Sequence, residues 1–200
     1  MRSILFCGLL ILFLIPVQVH AQQQETLFAN DINHGGFGSL VYGVTSVNGQ
    51  AAFLRGTRGA WVIRFRDGHA INIGLAGYRS QSNFNTVNWN RPDNEPEMRT
   101  NYGGFEMEYV NKSYRLIHFG THTLVGSGTV RYRNGGDFEK SSDDYFVLQP
   151  AGNIHLNVTH WFRISGSVLY RYAANVNLDG TGNSDLSGFS VSVGLRFGKF

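Results

Sequence analysis

Few residue types in this chain could do chemistry. His118, His122 and Ser127 supply imidazoles and a hydroxyl within one short segment, the raw material of a serine hydrolase in which histidine takes the hydroxyl proton. The spacing does not develop that reading. His118 is followed by Phe119 and Gly120, and His122 by Thr123 and Leu124, so neither histidine has a serine two positions on, where one strand face would hold both. A second group is ionic: Glu106 and Glu108 lie two apart, and His155, Arg163, Arg171 and Arg196 follow, with Asn72, Asn153 and Asn157 at intervals. In segment 174–187 the residues Asn175, Asn177, Asp179-Gly180 and Asp185 are spaced like a calcium loop. That pattern fails at its ends, with Asn first and Leu186 where a bidentate Glu belongs, and a solvated, turn-rich loop is expected instead. No catalytic, metal or cofactor set emerges, and a catalytic triad would have to be assembled across strands.

The elements that must position these groups are legible from composition. Among 200 residues there are 25 glycines, 4 prolines, 14 % aromatics and only 16 % charged residues, which favours strands and turns over helices. The net charge of +3 is too small to suggest nucleic-acid binding. Residues 1–21, MRSILFCGLLILFLIPVQVHA, combine a positive start, an apolar run from Ile4 to Ile15 and small residues before a cut after Ala21, and so read as a cleaved signal peptide. The apolar run is too short to cross about 30 Å of hydrocarbon as a helix. The single cysteine, Cys7, lies within it, so the mature chain from Gln22 has no disulfide, thiolate zinc site or cysteine nucleophile.

Alternation then sets the fold. Phe189, Val191, Val193, Leu195 and Phe197 alternate with Ser190, Ser192, Gly194, Arg196 and Gly198: one face is continuously apolar and the other is small or polar. A soluble sandwich would turn longer charged groups to water, whereas a narrow membrane barrel puts apolar side chains in lipid and small or polar ones inside. The same pattern recurs at 162–172, 145–158, 104–109 and 71–76, with Pro150 and Gly152 suggesting a bulge or bend. Segments 37–48, 51–65 and 114–132 are strand-like without a settled facing, and Arg55 and Arg58 have opposite parity. Eight strands from Phe37 onward match the smallest transmembrane barrels.

Connection lengths alternate as such a barrel requires. Arg66-Asp67-Gly68, Asn111-Lys112-Ser113 and Thr159-His160 are short, and would lie on the periplasmic side with both termini. The opposite connections are the hairpin turn Asn48-Gly49 and the long segments 81–99, 133–143 and 174–187. Trp61, Phe65, Tyr109, Tyr114, Trp161, Phe162 and Phe197 fall near the short turns, as an interfacial girdle needs. Three stretches, HGGFG (34–38), FVLQPAGNIHLNVTHWFRISGSVLYRY (146–172) and VGLRFGKF (193–200), give the chain a resemblance to small eight-stranded outer-membrane barrels of the OmpA/OmpX-like type, especially uncharacterised ones from Bacteroidetes. The resemblance is architectural and spans the mature chain. It implies outer-membrane location, insertion by the barrel-assembly machinery, and an assembly signal at Leu195, Phe197 and Phe200, although Phe200 falls on the opposite parity to Phe197.

The expectation is an all-β, eight-stranded, antiparallel, up-and-down transmembrane barrel over 37–200, preceded by a periplasmic extension at 22–36. Glu106, Glu108, His155, Arg163, Arg171 and Arg196 would form a polar network in the lumen, since charges held in so narrow a space must satisfy one another. Phe84, Trp89 and Arg91 of the 81–99 loop are candidates for external recognition. The expected role is non-catalytic, structural or recognition-related, in a monomer without cofactor or nucleic-acid partner, surrounded by outer-membrane lipid and lipopolysaccharide. The alternatives are a narrow pore, an enzyme acting on lipid A or phospholipid, and a soluble secreted barrel around an apolar ligand.

Overall fold

A computed structural model describes residues 32–81, 97–134, 137–178 and 180–200. Its strands are β1 (Asn33–Val47), β2 (Gln50–Arg64), β3 (Ala70–Gln81), β4 (Glu97–Asn111), β5 (Ile117–Asn134), β6 (Asp137–Asn157), β7 (Phe162–Ala174) and β8 (Gly188–Lys199), with a short helix, α1 (Asn183–Leu186), ahead of the last. Each strand pairs antiparallel with its neighbour in sequence, and β8 closes on β1 through pairs such as Leu40↔Leu195 and Val44↔Val191. Closure leaves no unpaired edge, so the backbone groups of every strand find partners within the sheet.

Side chains are distributed inside out relative to a soluble protein. Leu75 is 68 % exposed and Phe189 67 %, whereas Arg171, Arg196 and His155 are all at 0 %. An apolar exterior around a charged interior is stable when the surroundings are hydrocarbon, and it is the opposite of what a soluble ligand-binding barrel requires. Trp61, Tyr109, Tyr114, Trp161 and Phe197 are exposed near the short turns, and Phe197 stacks on both Trp161 and Phe162.

The three strands with unsettled facing resolve without bulges in their central parts. In β1, Phe37, Ser39 and Val41 point inward while Leu40, Tyr42 and Val44 point outward; in β2, Arg58 is inside and Arg55 outside. In β5, His118, His122 and Leu124 are inside, and Phe119, Val125 and Ser127 outside.

Several boundaries differ from expectation. The barrel begins at Asn33, ahead of Phe37, because residues 33–36 pair with Trp61–Arg64, a long-range partnership that Gly35 and Gly36 give no local sign of. The 133–143 segment is not a loop: β5 and β6 extend to Asn134 and from Asp137, with a register shift between Arg131 and Arg133. Charged and polar residues outnumber apolar ones there, so the sequence shows no period-two alternation. Pro150 produces no bulge. It faces outward opposite Thr123, and its missing N–H interrupts the ladder to β7 between Leu148↔Tyr172 and Ala151↔Leu169 without changing register. The Asn48-Gly49 turn has both residues at positive φ, 49° and 68°, as a tight two-residue hairpin needs. The signal peptide, the residues up to 31 of the proposed extension, and Phe84, Trp89 and Arg91 lie outside the described residues.

Gly126 permits the close approach of β5 to β4, since a Cβ there would fall 2.1 Å from the Gly103 carbonyl oxygen and 2.7 Å from Gly104 Cα. Gly126→Ala is therefore expected to destabilise the barrel by about 1–3 kcal/mol, whereas outward Gly166→Ala, with nothing within 4 Å, should be near neutral. Urea titration of the barrel folded in lipid vesicles measures both.

Candidate functional site

The ionic groups meet in the lumen because strand parity turns them inward and register brings them level. Glu106 and Glu108 sit on β4, Asn72 on β3, Arg58 on β2, His122 on β5, Asn153 and His155 on β6 and Arg196 on β8, all buried. Glu108 is the hub. Its Oε2 accepts from Arg196 Nη2 at 2.5 Å and from Asn72 Nδ2 at 2.7 Å, and its Oε1 accepts from Asn153 Nδ2 at 3.0 Å. His155 Nε2 lies 3.4 Å from Glu108 Oε1 and Arg58 Nη2 3.6 Å from Oε2. Glu106 is held by Arg58, whose Nε donates to Oε1 at 2.8 Å and whose Nη2 donates to the same oxygen.

Two histidines adjoin the carboxylates. His122 Nδ1 lies 2.9 Å from Asn153 Nδ2 and 3.1 Å from Asn153 Oδ1, and its Nε2 faces Glu106 Oε2 at 3.9 Å. Arg196 Nη1 is 3.3 Å from His155 Nδ1; Arg196 donates, and the Nε2 proton of His155 again points to a carboxylate. The imidazoles extend a network in which two arginines stand opposite two glutamates.

Of the six residues expected to form one network, Glu106, Glu108, His155 and Arg196 do so, while Arg163 and Arg171 occupy the two ends of the barrel. Near the termini, Arg163 Nη2 donates to the Ser113 carbonyl at 3.2 Å, and its guanidinium lies 4.0 Å from the Phe200 ring centroid. Asn157 Nδ2 bonds the Ser113 and Arg115 carbonyls of the same turn at 3.0 and 2.7 Å. At the other end, Arg171 Nε donates to the Leu186 carbonyl at 2.6 Å and Nη2 to the Ser46 carbonyl at 3.0 Å.

That second anchor corrects the reading of 174–187 as a solvated loop. Leu178 and Leu186 are buried in one apolar cluster with Val47, Tyr102 and Tyr145 inside the barrel, so the segment caps the mouth. Its polar groups are consumed in holding its own shape: Asn183 Oδ1 accepts from the Val176 N–H at 2.9 Å, and Asp185 Oδ2 from the Gly182 N–H at 2.8 Å.

The hydrolase residues are not brought together. Ser127 faces outward from the strand that turns His118 and His122 into the lumen, so no proton transfer can run between them. Among the described residues, no group of His, Cys, Asp or Glu is arranged to hold a metal ion. Leu195 and Phe197 face outward, whereas Phe200 turns in and stacks on Phe37 at 5.9 Å. Two network members had escaped the sequence reading. Arg58 is in a strand whose alternation is broken by glycines and arginines of both parities, and His122 reads from sequence as a catalytic candidate or a polar strand residue without a settled facing; the parity of β2 against its apolar Leu54 and Val62 was the available signal.

No protein-family model and no curated protein matches the chain. Solved structures do. The Neisserial surface protein A is similar with a TM-score of 0.56 at 13 % identity, over 84 % of this chain and 99 % of that one. Ail, the attachment invasion locus protein of Yersinia pestis, in complex with the heparin analogue sucrose octasulfate, is similar with a TM-score of 0.52 at 14 % identity, over 82 % and 97 % of the two chains. The chain has the closed, eight-stranded fold of these outer-membrane barrels.

Glu108→Ala or Arg196→Ala should each lower stability by about 3–5 kcal/mol, because each leaves its partner's charge buried and uncompensated. Glu108→Gln with Arg196→Met, which removes both charges, should recover most of the loss; urea unfolding in vesicles would show coupling between the two sites, and purely additive losses would contradict the hub.

Proposed function

We propose that this chain is an integral outer-membrane barrel with a non-catalytic, structural or recognition role, presenting its external connections on a rigid lipid-embedded scaffold. The observation carrying this reading is the inverted surface: apolar side chains cover most of the outside while most of the buried charges and histidines gather in the lumen, between Phe200 with Arg163 at one end and Leu186 with Arg171 at the other. An eight-stranded barrel is just wide enough for its own side chains.

Residues 1–21 supply export in this reading, the barrel-assembly machinery inserts the chain, and Leu195 and Phe197 present the outward part of the assembly signal. Membership among the Bacteroidetes-type small barrels is the finer form of the same proposal, resting on the three sequence stretches. A recognition role is compatible with the fold, since the Yersinia pestis neighbour is an attachment invasion protein seen with a heparin analogue.

Cell fractionation with gel mobility of unboiled and boiled samples tests the location. Recovery in the outer membrane with a heat-modifiable band is expected; recovery in the soluble fraction without detergent would overturn it. In planar bilayers the wild-type barrel is expected to give no steady conductance, and discrete sustained openings would favour a narrow pore. Lipid A mass spectra from cells with and without the protein are expected to be identical, and a change in acyl number would show an enzyme.

A further inference from the structure

Arginines interrupt the apolar exterior on one side of the barrel. Toward the end away from the termini, the outward faces of β2 to β5 carry Arg55, Arg79, Asn101, Thr129 and Arg131, where β7 and β8 carry Tyr170, Tyr172 and Phe189. Register sharpens the anomaly, since Arg55 stands directly opposite Arg79 and Arg99 directly opposite Arg131. Like charges paired across strands are destabilising, and the Arg55–Arg79 pair calls for anionic charge beside it.

The surroundings are built for it. Arg79 is exposed, and its Nε donates to Asn101 Oδ1 at 2.7 Å, which orients the guanidinium. Arg55 and Arg131 have no hydrogen bond or ion pair among the described residues. The neighbouring carboxylate, Asp144, is held by Thr129 Oγ1 at 2.7 Å. Between the arginines the wall is low, because Gly77 and Gly103 take outward positions, and a groove of about 640 Å³ opens there, flanked by Leu40 and Tyr42. Depth agrees as well. Arg79 lies nine residues beyond Ala70, about 30 Å along the strand and about 23 Å along the barrel axis at a tilt of about 40°, which is the upper edge of an apolar band about 25 Å tall.

We propose that this groove is a binding site for a phosphorylated glycolipid of the outer leaflet, with a phosphate lying between Arg55 and Arg79 and an acyl chain against Leu40 and Tyr42. Guanidinium pairs match phosphate geometry through bidentate, charge-assisted hydrogen bonds, and the apolar flank suits the chain of the same molecule. The site rests on the outer-membrane reading above and gives that surface a specific lipid partner.

The test is native mass spectrometry of the barrel in phosphatidylcholine nanodiscs, offered bis-phosphorylated lipid A, dephosphorylated lipid A or inorganic phosphate. Wild type is expected to retain the bis-phosphorylated lipid about tenfold better than the dephosphorylated one, the equivalent of one charge-assisted hydrogen bond. Arg55→Gln with Arg79→Gln should lose that preference, whereas Lys112→Gln, at the opposite end, should keep it. Equal retention of both lipids by wild type overturns the proposal and needs no variant to fold. Retention undiminished in the double variant also overturns it. Displacement of the lipid by inorganic phosphate would reveal a free-anion site and overturn the lipid assignment. A chain that gives no heat-modifiable band before lipid is added would instead sink the membrane reading itself.

Discussion

The structure is organised around one carboxylate. Glu108, fully enclosed, accepts from β3, β6 and β8 and lies against the guanidinium of β2, so five strands, counting its own, converge on a single charge. A charge so enclosed is tolerated only when nearly all its lone pairs are used. The strands cannot slip by one residue without turning Glu108, Arg58 or Arg196 out into hydrocarbon, and the network therefore fixes register as much as it contributes stability.

From that constraint follows the division of the lumen. The level of Glu106 and Glu108 is polar, while toward the mouth away from the termini the interior becomes an apolar cluster of Leu54, Tyr78, Tyr102, Leu124 and Tyr145. The capping segment with Leu178 and Leu186 completes that cluster, and Arg171 ties it down through backbone carbonyls. At the other mouth a smaller apolar group of Phe37, Val62, Ala70 and Val110 meets Phe200. The guanidinium of Arg196 lies 4.1 Å from the Phe37 ring centroid, which joins the polar level to this lower seal.

The exterior obeys a different rule. Where lipid is the solvent, apolar side chains at every second position are sufficient and their exact shapes matter little, so the outward faces vary freely between Leu, Val, Phe and Tyr. Departures from that rule stand out for the same reason. Arg55, Arg79 and Arg131 are such departures, and the lipid site proposed above is read from the first two.

The sequence alone determined the strand count and the facing of the cleanest strands, because period-two alternation is forced wherever one face meets lipid and the other the lumen. It also determined the hairpin at Asn48-Gly49, where positive φ restricts the residue types. Parity was enough to assign Glu106, Glu108 and Arg196 to one face of their strands. Only the tertiary structure decided which charges meet: Arg58 and Glu106 are 48 residues apart and Arg196 and Glu108 are 88 apart, and no local pattern encodes a contact set by the stagger of strands around a closed barrel. The extension of β1, β5 and β6 was hidden for the same reason, since backbone pairing in a stretch without apolar alternation leaves no local pattern to read. The inward turn of Phe200 and the cap formed by Leu178 and Leu186 depended likewise on apolar surface supplied by distant strands.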